Sequence, residues 1–252
     1  MVEIGRVFFY PEKDKRTLNK LTVVTLECHS KNVEKLVDKW RLKGDVQDIS
    51  ATSELLKEAA RKHDNGKPQK FKLKYDFLQE SFIYSFAGHR FAVYEEHPYL
   101  NQLIRLHHEF SVDSITQAKS VLNRSKYSEF VDNFQFDLYT LEMCDQIEAE
   151  TASYMFTGNA EPRVFMEFSG ERLNENTVAI YPYPFKENPI TLTFDYCEVY
   201  LDKPYSITED ISQNKNKPFG TLELTKLSKK LKEKLKNCKV RHKEVQLCTL
   251  QK

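Results

Sequence analysis

The sequence predicts a mainly α protein: a helical bundle over residues 1–156, then a small β-rich extension over 157–252 that ends in a basic helix. Three observations carry that expectation. Apolar residues recur at helical intervals from Thr22 to Trp40, and again through "YSEFVDNFQFDLYTLEMCDQIEAETASYMF". After "TGNAEP" the texture changes to β-branched and aromatic runs punctuated by Gly, Asn and Pro. Near the C-terminus, residues 226–243 hold nine Lys or Arg against one acid, Glu233.

Taken in order, "EIGRVFFY" reads as a short strand or an extended leader. Val23, Leu26, Val33, Leu36, Val37 and Trp40 then give the first helix its apolar face. A second helix opens near Ser50 or Ser53, runs through "ELLKEAARK" and stops at Asn65-Gly66. Pro98 opens a third, "PYLNQLIRLHHEF", since proline suits the first helical position. "SVDSITQAKSVL" is a fourth, with Ser111 or Asp113 as its cap. The long periodic stretch that follows makes one or two more. Beyond it, "RVFMEF", "TVAIYPYPF" and "ITLTFDYCEVYL" supply two to four strands. Leu224, Leu227, Leu231 and Leu235 form an apolar stripe on the basic terminal helix.

Composition narrows the function classes. With 38 basic and 37 acidic residues there is no global pull toward nucleic acid, so any basic surface is local. Five cysteines without a C-x-x-C pair argue against a disulfide framework or a zinc ribbon and for reduced thiols. Residues 1–20 lack an apolar core behind a basic start, and no apolar run reaches the roughly 18–20 residues of a membrane span. A soluble, cytoplasmic protein that does not engage a membrane is expected. "HDNGK" is no phosphate-binding loop, because no glycine precedes it at the needed spacing and Pro68 stands where Ser or Thr belongs.

The histidines carry the chemistry. The chain has seven, and five of them stand in order with two aspartates: His29 in "ECHSKNVEKL", His63-Asp64 in "HDNGK", His89 in "FAGHRF", His107-His108 in "LIRLHHEF" and Asp145 in "LEMCDQIEA". Imidazoles and carboxylates on facing helices are the means by which helical bundles build metal sites. His97 is the alternative to His89, and Asp132 and Asp137 are the alternatives to Asp145.

The order H…HD…H…HH…D resembles the HD superfamily of metal-dependent phosphohydrolases, and within it the stand-alone HD nuclease of CRISPR interference. "HSKNVEKLV" is similar to that family's first-histidine helix, "HDNGKPQKF" to its H-D-x-G-K, and "LIRLHHEFS" to its paired-histidine helix. Asn65 departs from the aliphatic residue common at its position. The resemblance covers about residues 22–150. It implies an HD-domain helical bundle and two divalent metal ions, one held by His29, His63, Asp64 and Asp145, the other by Asp64, His89, His107 and His108. Asp64 would bridge them, and Lys67 would contact the scissile phosphate. Imidazole-rich ligation favours Mn, Fe, Ni, Co or Zn over Mg. Two cations about 3.5–4 Å apart suit phosphodiester hydrolysis, because they neutralise charge on both the attacking and the leaving oxygen.

The implied activity is nuclease action on single-stranded DNA or RNA, alongside a separate helicase subunit and an RNA-guided CRISPR complex. The family's cyclic-dinucleotide phosphodiesterases share "HHE", but their glycine-tyrosine-proline signature is absent from "HHEFSVDSI". A hydrolase of small or cyclic nucleotides is the alternative enzyme, and a non-catalytic HD adaptor the alternative of another class. Beside the HD pair, Lys67, Lys70, Lys72 and Lys74 alternate with Phe71, Leu73, Tyr75 and Phe77. That pattern suits a single-stranded path with phosphates on lysines and bases on rings; the alternative is a strand or loop with one solvated and one packed face. The basic tail either binds nucleic acid, docks its leucines on a partner, or packs on its own domain.

Overall fold

The computed structural model describes residues 2–41, 50–86, 97–109, 111–159, 167–212 and 220–249. The fold is α/β, not the mainly α bundle with a small β extension that helical periodicity predicts. Nine strands occur among the described residues, and four of them precede residue 157: β1 (Ile4–Pro11), where "EIGRVFFY" reads as a strand or an extended leader, and β2 (Thr17–Thr25), β3 (Phe71–Asp76) and β4 (Ser81–Phe86), inside the domain expected to be a helical bundle. The others are β5 (Ser169–Asn174), β6 (Thr177–Tyr181), β7 (Ile190–Ser206), β8 (Thr221–Glu223) and β9 (Arg241–Cys248). One sheet has six strands in the order β1-β2-β7-β9-β6-β5, and a second has the order β4-β3-β8. By contact the chain divides into two compact units, each drawn from separate stretches.

The first unit takes Met1–Glu27, Lys67–Gly88 and Asp195–Lys243. Its hairpin β1–β2 turns at Asp14, whose Oδ1 accepts from the backbone N–H of Arg16 (3.0 Å) and Thr17 (2.9 Å). Gly5 sits where a Cβ would come within 2.8 Å of the Thr25 carbonyl, so the close approach there requires glycine. Thr22, Val23, Val24 and Thr25 belong to β2, and the helix that periodicity starts at Thr22 begins at Leu26. Four consecutive β-branched residues favour the pleated surface over the helix. In β3 the positions alternate, with Phe71, Leu73 and Tyr75 buried and Lys72 exposed. After the short α6 (Thr208–Ile211), helix α7 (Thr225–Lys236) buries Leu227, Leu231 and Leu235 in the same core, so the leucine stripe packs on its own unit.

The second unit takes Cys28–Gly66, His89–Phe194 and Glu244–Lys252. It contains most of α1 (Leu26–Lys39), then α2 (Ser50–Lys62), α3 (Pro98–Leu106), α4 (Val112–Asn123) and α5 (Val131–Thr157), with the hairpin β5–β6. Pro98 opens α3, and the Ser111 hydroxyl caps α4 by accepting from Ser114 N–H at 3.1 Å. The expected long helix is one element, α5, ended by Gly158 at φ +82°. From Thr140 to Ser153 α5 is buried on nearly every face, which marks it as the central helix of the unit. It carries Glu142, Asp145, Glu148 and Glu150 into that interior. Buried carboxylates need partners or cations.

Candidate metal centre

Four elements of the second unit supply the site. His29 lies in the first turn of α1, and His63 and Asp64 lie just past the end of α2. His107 caps the C-terminus of α3 with His108 next to it, and Asp145 projects from the middle of α5. His29, His63, Asp64 and His107 have no exposed surface.

Each of three imidazoles is fixed through the same nitrogen. His29 Nδ1–H donates to Glu148 Oε2 (2.6 Å), His63 Nδ1–H to the Ala60 carbonyl (2.8 Å) and His107 Nδ1–H to the Ile104 carbonyl (2.6 Å). A ring proton held on Nδ1 leaves Nε2 with its lone pair, the arrangement by which outer hydrogen bonds orient metal-binding histidines. Those Nε2 atoms converge. His29 Nε2 lies 3.2 Å from His63 Nε2, 3.0 Å from Asp64 Oδ2 and 3.3 Å from Asp145 Oδ1. His63 Nε2 lies 3.4 Å from Asp64 Oδ2 and 3.8 Å from Asp145 Oδ1.

These separations suit a cation. Ligand atoms about 2.1 Å from one ion stand about 3.0–3.4 Å from each other, between octahedral and tetrahedral limits. The donor set fits too, since two imidazoles and two carboxylates offer a divalent ion both nitrogen donors and charge balance. Two groups among the described residues can hold a metal ion: His29, His63, Asp64 and Asp145, and Asp64, His107 and His108. Asp64 belongs to both. Its Oδ2 faces the first group, while its Oδ1 lies 3.8 Å from His107 Nε2. His108, with a side chain 36% exposed, is the solvent-facing member and stands 3.8 Å from Asp145 Oδ2.

The structure thus brings together six of the seven histidine and aspartate positions proposed from sequence. The seventh, His89, lies outside the described residues, as does the side chain of Lys70. Among the alternatives, His97 has Nδ1 3.3 Å from the Tyr127 hydroxyl and joins neither group. Asp137 accepts from the Tyr99 hydroxyl (2.9 Å) and Asp132 is exposed in the first turn of α5. The lysine path does not survive folding in its expected form. Phe71, Leu73 and Tyr75 are core residues, closed to stacking bases, and Lys72 pairs with Glu223 at 2.7 Å. Lys74 is half-buried on the same strand, and Lys67 is buried in the first unit with its ammonium 5.3 Å from the Phe86 ring centroid. Glu148 is the residue the motif missed. It follows Asp145 by one helical turn, and that i,i+3 spacing is its only sequence signal.

No protein-family model matches the chain, and no curated protein or solved structure matches it. The geometry therefore carries the functional reading.

Electrostatics define what a cation must displace. Burial opposes charge on His63, but the Asp64 and Asp145 carboxylates outweigh it and raise its pKa to about 10. Burial likewise pushes the Asp145 carboxyl up, yet His63, His29 and His108 hold it well below the usual carboxylate range. Glu142, one turn earlier, is raised to about 8 by burial and then by the charges of Asp145 and Glu109. Without a cation, that raised pKa keeps His63 protonated at neutral pH, with its Nε2 3.4 Å from Asp64 Oδ2 and 3.8 Å from Asp145 Oδ1. That proton's stabilising contribution is complete below the unfolded value of 6.5 and is lost as pH rises through about 10. A metal needs the neutral ring, so binding expels the proton and apparent affinity climbs by about tenfold per pH unit below that value. Titration calorimetry with Mn²⁺ in buffers of differing ionisation enthalpy will read about one proton released per ion near neutrality. Heats independent of the buffer would rule this out.

Proposed function

We propose that this chain is a metal-dependent phosphodiester hydrolase, a nuclease of single-stranded DNA or RNA that uses two divalent ions. One observation supports the reading above all: two histidine–carboxylate groups adjoin, and the Asp64 carboxylate turns one oxygen toward each. Divalent ions, when bound, supply Lewis acidity that neutralises phosphate charge and lowers the pKa of water. The chain's own residues do the positioning. Asp64 sets the spacing of the two groups, and Glu148 with the carbonyls of Ala60 and Ile104 holds the three rings in their metal-binding tautomer. The buried side, His29 and His63, keeps water out, while His108 faces solvent where a phosphodiester can approach. A separate helicase and an RNA-guided complex, implied by the resemblance, belong to the same proposal.

Purified protein incubated with Mn²⁺ and labelled single-stranded DNA, single-stranded RNA or a cyclic dinucleotide tests this. Cleavage of a single-stranded polymer is expected, stopped by EDTA and restored by excess Mn²⁺. Turnover of the cyclic dinucleotide alone would replace the nuclease by a phosphodiesterase, and inertness toward all three would leave a non-catalytic adaptor.

A further inference from the structure

The basic tail is not absorbed by the metal centre. Because Leu227, Leu231 and Leu235 are spent in the core, α7 turns its lysines outward: Lys226, Lys229, Lys230, Lys232, Lys234 and Lys236 against Glu233 alone. Lys226 and Lys230, Lys230 and Lys234, and Lys232 and Lys236 are like charges at i,i+4, which work against the helix. Lys229 and Glu233 are the one opposite pair at that spacing, so pairing along the helix does not account for the number of lysines. Between α7 and residues 198–203 of β7 runs a groove of about 810 Å³, lined also by Asn237, Cys238 and Lys239.

The groove's exposed charge is net cationic. Of its acids, Glu198 is held by Lys20 (2.5 Å) and Arg241, and Asp202 by Lys234, which leaves exposed Glu233 against exposed Lys203, Lys230 and Lys239. Tyr200 is 58% exposed on the same wall, with the Lys20 ammonium 5.2 Å from its ring centroid. An exposed ring set among lysines is the combination that binds unpaired nucleotides, the ring stacking a base and the lysines following the phosphates. A duplex offers no unstacked base to that ring. An anionic membrane or an acidic protein would use the lysines alone.

We infer that this groove binds single-stranded nucleic acid, with Tyr200 as the stacking platform and Lys203, Lys230 and Lys239 as phosphate contacts. The inference extends the proposed nuclease by naming where its polymer is gripped, and the binding needs no metal. Fluorescence anisotropy in EDTA, with labelled oligothymidylate or oligouridylate, is the test. Saturable binding is expected, with log affinity falling against log salt at a slope of about −2, or roughly −0.7 for each of three phosphates. Tyr200→Ala weakens binding about tenfold and leaves that slope unchanged. The double variant Lys230→Glu/Lys239→Glu weakens it further and flattens the slope. Both sites are exposed, and unchanged circular dichroism verifies the fold. Preference for a duplex, preference for phosphatidylserine vesicles, or indifference to Tyr200→Ala would overturn the assignment. Binding in EDTA by a protein that hydrolyses nothing supports the groove while sinking the metal-centre reading; hydrolysis without such binding does the reverse.

Discussion

Asp64→Asn is expected to abolish the proposed metal-dependent hydrolysis and to leave the fold intact. The substitution keeps the side chain's shape but removes its charge from both groups at once. Oδ2 stands 3.0 Å from His29 Nε2 and 3.4 Å from His63 Nε2, and Oδ1 stands 3.8 Å from His107 Nε2. An amide there offers one neutral oxygen and turns an NH₂ toward imidazole lone pairs or toward the second ion. Loss of an outer hydrogen-bond partner alone typically costs about 10–100-fold in metal affinity, so loss of a shared anionic ligand costs about 100-fold or more at each position. Turnover falls by roughly three orders of magnitude or more, because both the attacking and the leaving oxygen lose their counter-charge. Glu148→Gln is the graded control, since it weakens the hold on His29 Nδ1 without touching a ligand. It reduces affinity about tenfold and activity in proportion. If Asp64→Asn protein still cleaves at more than a few per cent of the native rate, Asp64 does not bridge.

Trp40→Ala produces the largest loss of stability expected for a single position outside the metal groups. Trp40 is 1% exposed at the end of α1, and its ring meets the edges or faces of Tyr139 (6.2 Å), Phe168 (5.7 Å) and Phe185 (5.7 Å) between centroids. Its backbone forms a bridge with Phe185, so the residue ties α1 to the loop after β6. Truncation removes the transfer energy of the indole and leaves a cavity among rigid aromatic rings that relax poorly. The cost is about 3–5 kcal/mol, or roughly 10 °C in Tm. Lys72→Ala is the contrast. Its exposed pair with Glu223 contributes under about 1 kcal/mol, so Tm barely moves. Equal effects from the two variants, by thermal unfolding in EDTA, would show that the aromatic cluster does not hold this unit together.

The helices that frame the candidate metal centre were legible because their signals are local. Pro98, the Ser111 cap, Gly158 and the long apolar period of α5 act within a turn or two of themselves. Strands β2–β4 were harder. Besides their hairpin neighbours, two of them take partners far along the chain, as when β2 pairs with β7 and β3 with β8. Short alternating runs such as "FKLKYD" can be read as a basic path or as a packed strand until a neighbour covers one face. The interleaving of lysine with aromatic residues was the strand period itself.

The sequence alone determined which side chains are able to hold a metal. Few residue types bind such ions, and their order, His29, His63-Asp64, His89, His107-His108 and Asp145, is written in the chain whatever the fold around them. Only the tertiary structure decided that Asp64 faces two groups, that Asp145 rather than Asp132 or Asp137 completes the first, and that Glu148 fixes His29. It also decided the fold class and moved the exposed lysines of interest from β3 to α7. The reason is physical: ligand chemistry belongs to a residue, whereas burial, orientation and charge pairing belong to the neighbours that folding brings from distant parts of the chain.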